Sequence, residues 1–147
     1  MYTVHQLMLD RGVEAYSVTP GATVLNALQL MAEKNVGAVM VVERGKIMGI
    51  FSERDFARKS TRTGKCSLDA RLADVMTQEM ITIHPDQTLE ECMSLMKRHH
   101  IRHLPVMSEG RLVGMVSMRD VLDAILSMKD STIEDLKSYI FGEEYGR

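Results

Sequence analysis

Two short motifs place a serine hydroxyl and an aspartate carboxylate three positions apart. They are Ser52-Glu-Arg-Asp55 and Ser117-Met-Arg-Asp120. An ionised carboxylate accepts hydrogen bonds from both vicinal hydroxyls of a ribose, and its charge strengthens each bond. A serine at a helix start lies beside unpaired backbone N–H groups and the positive end of the helix dipole, which attract phosphate. One turn of chain therefore carries the groups that bind both halves of a nucleotide.

The same spacing has a plainer explanation, because Ser-x-x-Asp is also a capping box that starts a helix without any ligand. Arg54 and Arg119 favour a ligand, since a cation in the first turn of a helix opposes the helix dipole. Its presence in both motifs indicates that an anion is expected there. A solvated surface arginine is the alternative at either position.

The two motifs close two copies of a repeat. Residues 16–55 align with residues 81–120 without a gap, at a constant offset of 65 positions. A weaker echo, 4–8 against 72–76, precedes each copy. Such self-similarity indicates a duplication. The identical pairs are Pro20/Pro85, Thr23/Thr88, Leu30/Leu95, Met31/Met96, Val41/Val106, Gly45/Gly110, Gly49/Gly114, Ser52/Ser117, Arg54/Arg119 and Asp55/Asp120.

Each copy is predicted to fold as β-α-β-β-α. A short β-prone segment, 15–19 or 80–84, is stopped by proline. A helix follows, capped by Thr23 or Thr88, and Glu91 completes a capping box with Thr88. Two strands with a glycine in their turn come next, and a last helix begins at the serine of each motif and turns Phe56 or, in the second copy, Val121, Leu122 and Ile125 inward.

The repeat predicts two domains and a tail. The polar, basic segment 60–67 is expected to be an exposed linker. An N-cap at Ser131 and apolar residues at Ile133, Leu136 and Ile140 predict a separate amphipathic tail helix, and with Phe141 and Tyr145 this helix would dock on the body or on a partner subunit. The predicted boundaries are 1–65 with a core at 15–59, 66–130 with a core at 80–127, and 131–147 for the tail.

The composition excludes several classes of protein. Hydrophobic residues at 45% and charged residues at 26% argue against disorder. A net charge of −2 gives no electrostatic footprint for nucleic acid. No apolar stretch approaches the ~20 residues that span a bilayer, and the two cysteines fit a reducing compartment. We therefore expect a cytoplasmic protein that binds neither nucleic acid nor membrane.

Two ungapped units that each end in G-x-h-x-G-h-h-S-x-R-D resemble the CBS-domain pair, or Bateman module, over about residues 4–127. In lacking a longer chain around the pair, the sequence resembles the stand-alone bacterial members, a group in which AMP, ATP or NAD(H) is found bound. The resemblance implies an α+β fold in which tandem CBS domains pack about a pseudo-twofold axis. A ligand cleft then lies between the repeats, and two modules commonly associate as a homodimer.

The resemblance also implies which residues bind the ligand. The aspartate of each motif takes the ribose and the serine faces the phosphate: Ser52, Asp55, Ser117 and Asp120. On charge, we add Arg54, Lys59 and Arg119 as candidates to bind the phosphate. The residues that open the second strand cup the adenine, and the end of the first strand closes over it: Val36, Gly37, Ala38, Ile101, Arg102, His103 and Pro105, with Ser17 and Thr82.

The two sites differ in charge, because Asp120 is followed by Asp123 whereas Asp55 precedes a basic run. We expect the Asp55 site to accept a di- or triphosphate or a dinucleotide, and the Asp120 site to prefer a monophosphate. A solvated linker is the alternative explanation of the basic run, which consists of Arg58, Lys59, Arg62 and Lys65.

Neither a metal site nor catalysis is predicted. His99 and His100 end a helix whereas His103 lies in a strand, so the chain bends between them, and no Cys-x-x-Cys or fixed carboxylate completes a tetrahedral set. No Gly-x-Ser-x-Gly elbow, P-loop, Gly-x-Gly-x-x-Gly or His-Glu-x-x-His is present.

The predicted function is an adenine-nucleotide-binding regulatory module that senses energy or redox state and acts on an unidentified downstream protein. A structural adaptor with a vestigial cleft is the alternative. A small nucleotide hydrolase is a third hypothesis.

Overall fold

The structure, a computed structural model, describes residues 1–62, 64 and 66–141. The elements alternate in the same order in both halves of the chain. They are α1 (Val4–Arg11), β1 (Ser17–Val18), α2 (Val24–Lys34), β2 (Ala38–Glu43), β3 (Lys46–Ser52), α3 (Glu53–Arg62), α4 (Leu72–Val75), α5 (Leu89–His99), β4 (His103–Ser108), β5 (Arg111–Ser117) and α6 (Met118–Phe141).

Two antiparallel hairpins, β2–β3 and β4–β5, form the centre of the repeats. Gly45 and Gly110 lie in their turns with φ of 77° and 75°, a left-handed conformation that glycine adopts without strain. Ala38 pairs with Ser52, and His103 pairs with Ser117. The register therefore brings the start of one strand beside the motif serine at the end of its neighbour.

The helices α2 and α5 begin and end where the sequence predicts. Thr23 and Thr88 are the N-caps, and Asn35 and His100 are left-handed C-caps. The predicted capping box of Thr88 is only half formed. The Thr88 hydroxyl accepts from Glu91 N at 3.2 Å, but the Glu91 carboxylate instead accepts from Gln87 Nε2 at 2.8 Å.

The predicted strand over 80–84 was wrong, because only Ile83 makes an isolated parallel bridge, to Val106. In the first copy, β1 pairs with β2 and Met40 N donates to Tyr16 O at 2.8 Å. Pro105 occupies the position of Met40 and has no N–H to donate. The second copy therefore loses this ladder bond.

The helices that precede each copy exchange places in the packing. Val4 and Leu7 of α1 are buried in the core of the second repeat, and Val4 N donates to Gln87 O at 2.8 Å. Leu72 of α4 is buried in the core of the first repeat, and its N–H donates to Ala22 O at 2.9 Å. The predicted boundary at residue 65 follows the chain, but the cores cross it.

The predicted exposed linker 60–67 is only partly a linker. The helix α3 continues to Arg62, and Cys66 is buried in the core of the first repeat. Cys92 is buried in the core of the second repeat, where burial raises the pKa of its thiol to about 11.

The predicted separate tail helix was wrong, because α6 runs without a break from Met118 to Phe141. No glycine or proline interrupts this span, so nothing ends the helix near Ser131. Val121 faces the core as predicted, but Leu122 is 42% exposed. The helix turns Ala124 inward instead. The rest of the predicted tail, 142–147 with Tyr145, lies outside the described residues.

The two repeats meet through a small apolar cluster in which Ala38, Met40 and Met115 are buried. Ala38 and Met40 come from β2 and Met115 comes from β5, so the two hairpins pack against each other. Across the described residues, no helix combines the length and the hydrophobicity that a membrane span requires.

Candidate functional site

Both motifs form capping boxes at the starts of their helices. Ser52 N donates to Asp55 Oδ2 at 3.0 Å, and Asp55 N donates to Ser52 Oγ at 3.0 Å. Ser117 N donates to Asp120 Oδ2 at 3.0 Å, and Asp120 N donates to Ser117 Oγ at 3.1 Å. The plainer explanation of the spacing is therefore correct as a description of the local geometry.

Capping leaves part of each carboxylate available. A carboxylate offers about four acceptor positions. The capping bonds of Asp55 and Asp120 use only Oδ2, and Oδ1 accepts no hydrogen bond from any described residue. The same side chain can therefore cap its helix and accept a ribose hydroxyl.

The two serine hydroxyls are in different states. Ser117 Oγ donates to Asp120 Oδ2 at 2.8 Å. Ser52 Oγ accepts from Asp55 N but donates to no described residue. An anion at Ser52 gains a ready donor, whereas an anion at Ser117 competes with the bond to Asp120.

Each helix start is tied to the strand-opening residues of its own repeat. Glu53 N donates to Gly37 O at 3.0 Å, and Met118 N donates to Arg102 O at 2.8 Å. The next N–H groups, those of Arg54 and Arg119, donate to no described residue. An N–H in the first turn of a helix attracts anions.

The larger of two clefts, about 830 Å³ in volume, is named here the Asp120 cleft. Ser117, Arg119 and Asp120 of the second repeat line it together with Val36, Gly37 and Ala38 of the first, and with His103. The motif of one repeat thus faces the strand-opening residues of the other.

The smaller cleft, about 200 Å³, is named here the Asp55 cleft and has the reciprocal arrangement. Ser52, Arg54 and Asp55 of the first repeat face Ile101, Arg102, His103 and Pro105 of the second. Each cleft is therefore complete only when both repeats are in place.

Three predicted ligand residues lie outside both clefts. Ser17 and Thr82 are exposed, and Tyr16 and Ile81 line the clefts in their place. Successive side chains of an extended segment point to opposite faces, so the side chain that faces each cleft is one position earlier than the one predicted. The Lys59 ammonium instead donates to the carbonyl of Val75.

Sequence reasoning also missed charged residues of the Asp120 cleft: Glu14, Lys34 and Glu53. Lys34 Nζ lies 5.5 Å from the ring centroid of Tyr16, within the range of a cation–π contact. The alternation of side chains along 15–19 could have identified Tyr16 from the sequence. The positions of Glu14, Lys34 and Glu53 in the cleft depend on how the repeats pack.

The Asp55 cleft carries three arginines against the two carboxylates of Asp55 and Glu79. Arg54, Arg58 and Arg102 line it. Partial desolvation, and then the charges of Arg58 and Arg102, lower the pKa of the Arg54 guanidinium. An anion bound among these three side chains would relieve their mutual repulsion. Of the remaining basic run, Arg62 is exposed at the end of α3, and Lys65 lies outside the described residues.

His103 lines both clefts. Burial lowers the pKa of its imidazole, Asp120 and Asp55 act in the opposite direction, and Arg102 adds to the lowering. The ring is thus held towards its neutral form between two carboxylates.

The three histidines considered as metal ligands are separated by a bend, as the sequence predicts. His99 ends α5, His100 is the left-handed C-cap and His103 opens β4. In the part of the chain that the structure describes, no group of three His, Cys, Asp or Glu side chains is arranged to hold a metal ion.

The fold and the paired clefts define a tandem repeat of one small α+β unit. The family model described as CBS domain matches residues 4–62 and 72–127. The chain belongs to the CBS-domain family, as its resemblance predicts.

Known relatives support this assignment along most of the chain. The mitochondrial CBS domain-containing protein CBSX3 of Arabidopsis thaliana is 34% identical over 149 residues, which cover 95% of this chain and 72% of that protein. The CBS domain-containing protein YhcV of Bacillus subtilis is 36% identical over 105 residues, which cover 71% of this chain and 74% of that protein.

Solved structures share the arrangement of the two repeats. The CBS-domain structure of NE2398 superposes with a TM-score of 0.79 at 34% identity, covering 84% of this chain and 97% of that one.

Two further neighbours were solved with ligands. The CBS domain protein PAE2072 of Pyrobaculum aerophilum, complexed with AMP, has a TM-score of 0.70 at 25% identity and covers 80% of this chain and 88% of its own. The CBS domain pair of MJ0100, in complex with 5′-methylthioadenosine and S-adenosyl-L-methionine, has a TM-score of 0.74 at 20% identity and covers 87% and 98%. The second likeness shows the fold alone.

Proposed function

We propose that this chain is a regulatory module that binds adenine nucleotides in the clefts between its two CBS repeats. The observation that carries the proposal is the open Oδ1 atom of Asp55 and of Asp120, at clefts where each motif faces the other repeat. The AMP complex of PAE2072 supports an adenosine ligand.

The Asp120 cleft has the dimensions of a nucleotide site. Its volume of about 830 Å³ falls within the ~300–1,000 Å³ of typical ligand pockets. Tyr16, Val36 and Met115 supply apolar surface for a base, and Asp120 lies in the same cleft for the ribose. This cleft is the first site that we expect a nucleotide to fill.

The Asp55 cleft is the one that we propose for the more highly charged phosphate group. This assignment is supported by the charges of Arg54, Arg58 and Arg102. It is also supported by the hydroxyl of Ser52, which donates no hydrogen bond to any described residue. At about 200 Å³ the cleft encloses only part of a nucleotide, so a di- or triphosphate or a dinucleotide would extend from it into solvent.

Regulation would follow from the crossed construction of the clefts. A ligand that contacts the motif of one repeat and the strand-opening residues of the other favours one relative orientation of the repeats. Only differential affinity for two orientations can shift their populations. Competition between AMP and ATP for the clefts would make the module an energy sensor, and binding of NAD(H) would make it a redox sensor.

We also propose that the protein acts without catalysing a reaction and that it acts from the cytoplasm. Cell fractionation would test the location, and product analysis after incubation with the stabilising nucleotide would test the hydrolase hypothesis.

We propose a homodimer, and α6 offers a surface for it. Its exposed apolar residues recur at intervals of four and three when Lys129 is included, which is the spacing of a coiled-coil seam. Asp123 and Lys137 each follow a residue of this stripe. An antiparallel second copy would place each Asp123 beside the Lys137 of the other. The stripe is Leu122, Leu126, Lys129, Ile133 and Leu136.

The adaptor alternative is favoured by the same exposed stripe, since protein contacts could supply the whole function. Thermal unfolding with and without millimolar AMP, ATP, NADH or S-adenosylmethionine separates the two, because a ligand that binds only the folded state raises its melting temperature. No shift with any of these compounds would leave the adaptor.

Asp120→Asn sharpens the test. Asparagine at this third helical position can still accept from Ser117 N, as Asn26 accepts from Thr23 N in α2, so the fold is expected to persist, but it loses the charge that strengthens the ribose bonds. We expect about tenfold weaker nucleotide binding by calorimetry, with a melting temperature within a few degrees of the wild type. Unchanged affinity would remove Asp120 from the site.

A further inference from the structure

The imidazole of His103 forms a wall shared by the two clefts. His103 opens β4, pairs with Ser117 in register and packs against Gly37 of the other repeat. A Cβ at position 37 would lie 3.1 Å from both Cε1 and Nε2 of the ring. A side chain at position 37 would require the imidazole to move by a few tenths of an ångström.

Both ring nitrogens are available to ligands. Neither accepts or donates a hydrogen bond to any described residue, although the side chain is partly buried. Across residues 1–62, 64 and 66–141, no side-chain nitrogen or oxygen is both fully buried and unpaired. The two nitrogens of His103 therefore keep access to the clefts that the ring lines.

A neutral imidazole carries one N–H donor and one lone-pair acceptor. If the donor is used in one cleft, only the acceptor remains for the other. His103 belongs to the second repeat, and the alignment places Ala38 at its position in the first. Two copies of one nucleotide that present the same kind of atom to the ring from the two clefts compete for the same tautomer.

We propose that His103 couples the two clefts, so that binding of a nucleotide in one lowers the affinity of the other for the same nucleotide. The coupling rests on the proposed nucleotide-binding function and extends it from two sites to one linked pair. Linkage makes the effect reciprocal, so either cleft can be filled first.

The neighbouring charges supply a second route for the same coupling. Asp55 lies in one cleft and Asp120 in the other, and both carboxylates act on the ring of His103 together with Arg102. A ligand that covers one carboxylate changes the field at the imidazole, and hence the hydrogen bond that the ring offers to the other cleft.

The experiment is calorimetric titration of the full chain with AMP. Asp55→Ala and Asp120→Ala each leave one cleft and provide its intrinsic affinity. We expect the second AMP to bind the wild type about tenfold more weakly than its intrinsic affinity. In His103→Leu, which keeps the bulk without the nitrogens, the two affinities should agree within about twofold with those of His103→Leu combined with Asp55→Ala or with Asp120→Ala. His5→Ala, an exposed histidine on α1, should keep the wild-type coupling.

A second measurement covers the case in which a single-cleft variant fails to fold. The ¹⁵N chemical shifts of the His103 ring report its tautomer during titration of the wild type. One tautomer should dominate after the first AMP binds. Two AMP molecules that bind the wild type independently, or coupling that persists in His103→Leu, would overturn the proposal. No binding of any adenosine compound would overturn the nucleotide function itself, which is a separate result.

Discussion

Gly114 lies so close to Val13 that a Cβ at position 114 would be 2.5 Å from the Val13 carbonyl oxygen. That oxygen accepts a hydrogen bond from Met115 N at 3.2 Å. Gly49 repeats the relationship in the first copy, where a Cβ would lie 2.7 Å from Thr77 O and Ile50 N donates to Thr77 O at 3.0 Å. Glycine at positions 49 and 114 therefore allows the segment before each repeat to pair with a strand of the other repeat. The segment at Val13 pairs with β5, and the segment at Thr77 pairs with β3.

Gly114→Ala is expected to destabilise the fold. The added methyl group meets backbone and cannot be relieved by turning a side chain, so we expect a loss of about 1–3 kcal/mol in the free energy of unfolding. Urea denaturation followed by circular dichroism measures it. Gly21→Ala is the matched control, because nothing lies within 4 Å of a Cβ there. Equal midpoints for the two variants would contradict the close packing.

Tyr16→Ala and Ser17→Ala test which neighbour closes the Asp120 cleft. Tyr16 lines the cleft under Lys34, whereas Ser17 is exposed. Loss of an aromatic surface that stacks on a base is expected to weaken AMP binding about tenfold, and Ser17→Ala should leave it unchanged. Calorimetric titration of both variants decides between the two positions. A larger effect at Ser17 would restore the position that family resemblance implies.

The elements of the repeat were predictable because their signals are local. A threonine before an apolar helical stripe marks the starts of α2 and α5, and Gly45 and Gly110 mark the hairpin turns. The loss of the first strand in the second copy was also readable. Pro105 replaces Met40 and removes the N–H that a parallel neighbour needs.

The packing of the repeats was not predictable from one sequence. The exchange of α1 and α4 between the cores depends on contacts between distant segments, such as Val4 with Gln87. The clefts cross the repeats for the same reason, so the motif aspartates were identified but their opposite walls were not. Local sequence patterns identify the candidate ligand-binding side chains, and long-range packing determines which of these side chains lie in the same cleft.

The stability of the fold is expected to fall below about pH 6.5 through His103. Burial lowers the pKa of this imidazole in the fold, whereas in the unfolded chain it titrates near its ordinary value of ~6.5. As the pH falls through that range, the unfolded state binds a proton at His103 and the native state does not. The free energy of unfolding therefore decreases until the pH reaches the lower native pKa. Above about pH 7 the histidine is neutral in both states and contributes no slope.

His103→Gln removes this titration and should flatten the fall in urea midpoint between about pH 7.5 and about pH 5.5, one unit on either side of the ordinary pKa. Asp55 and Asp120 raise the pKa of the ring, so Asp120→Asn should lower it further in an NMR titration. His5→Gln, at an exposed position of α1, is the control for the loss of a histidine alone. Identical pH profiles for the wild type and His103→Gln would show that the pKa of the imidazole is not lowered in the fold.

The apolar stripe of α6 predicts an antiparallel homodimer. Leu126 and Leu136 are 58% and 56% exposed on the single chain, and an antiparallel second copy would cover each with the other. Leu126→Glu with Leu136→Glu places charges in that seam and should weaken dimerisation more than about tenfold, leaving the 16.6 kDa chain as a monomer in sedimentation velocity.

Charge exchange decides the orientation of the dimer. Asp123→Lys should weaken the dimer by placing like charges beside Lys137 of the other copy, and the double variant with Lys137→Asp should restore it. Asp123 also forms an ion pair with Arg11 at 3.7 Å, but both side chains are partly exposed, so its loss contributes little. Leu68→Glu changes an exposed leucine away from α6 and should leave the dimer intact. Failure of the double variant to recover would exclude the antiparallel pairing, because only that pairing joins residue 123 to residue 137.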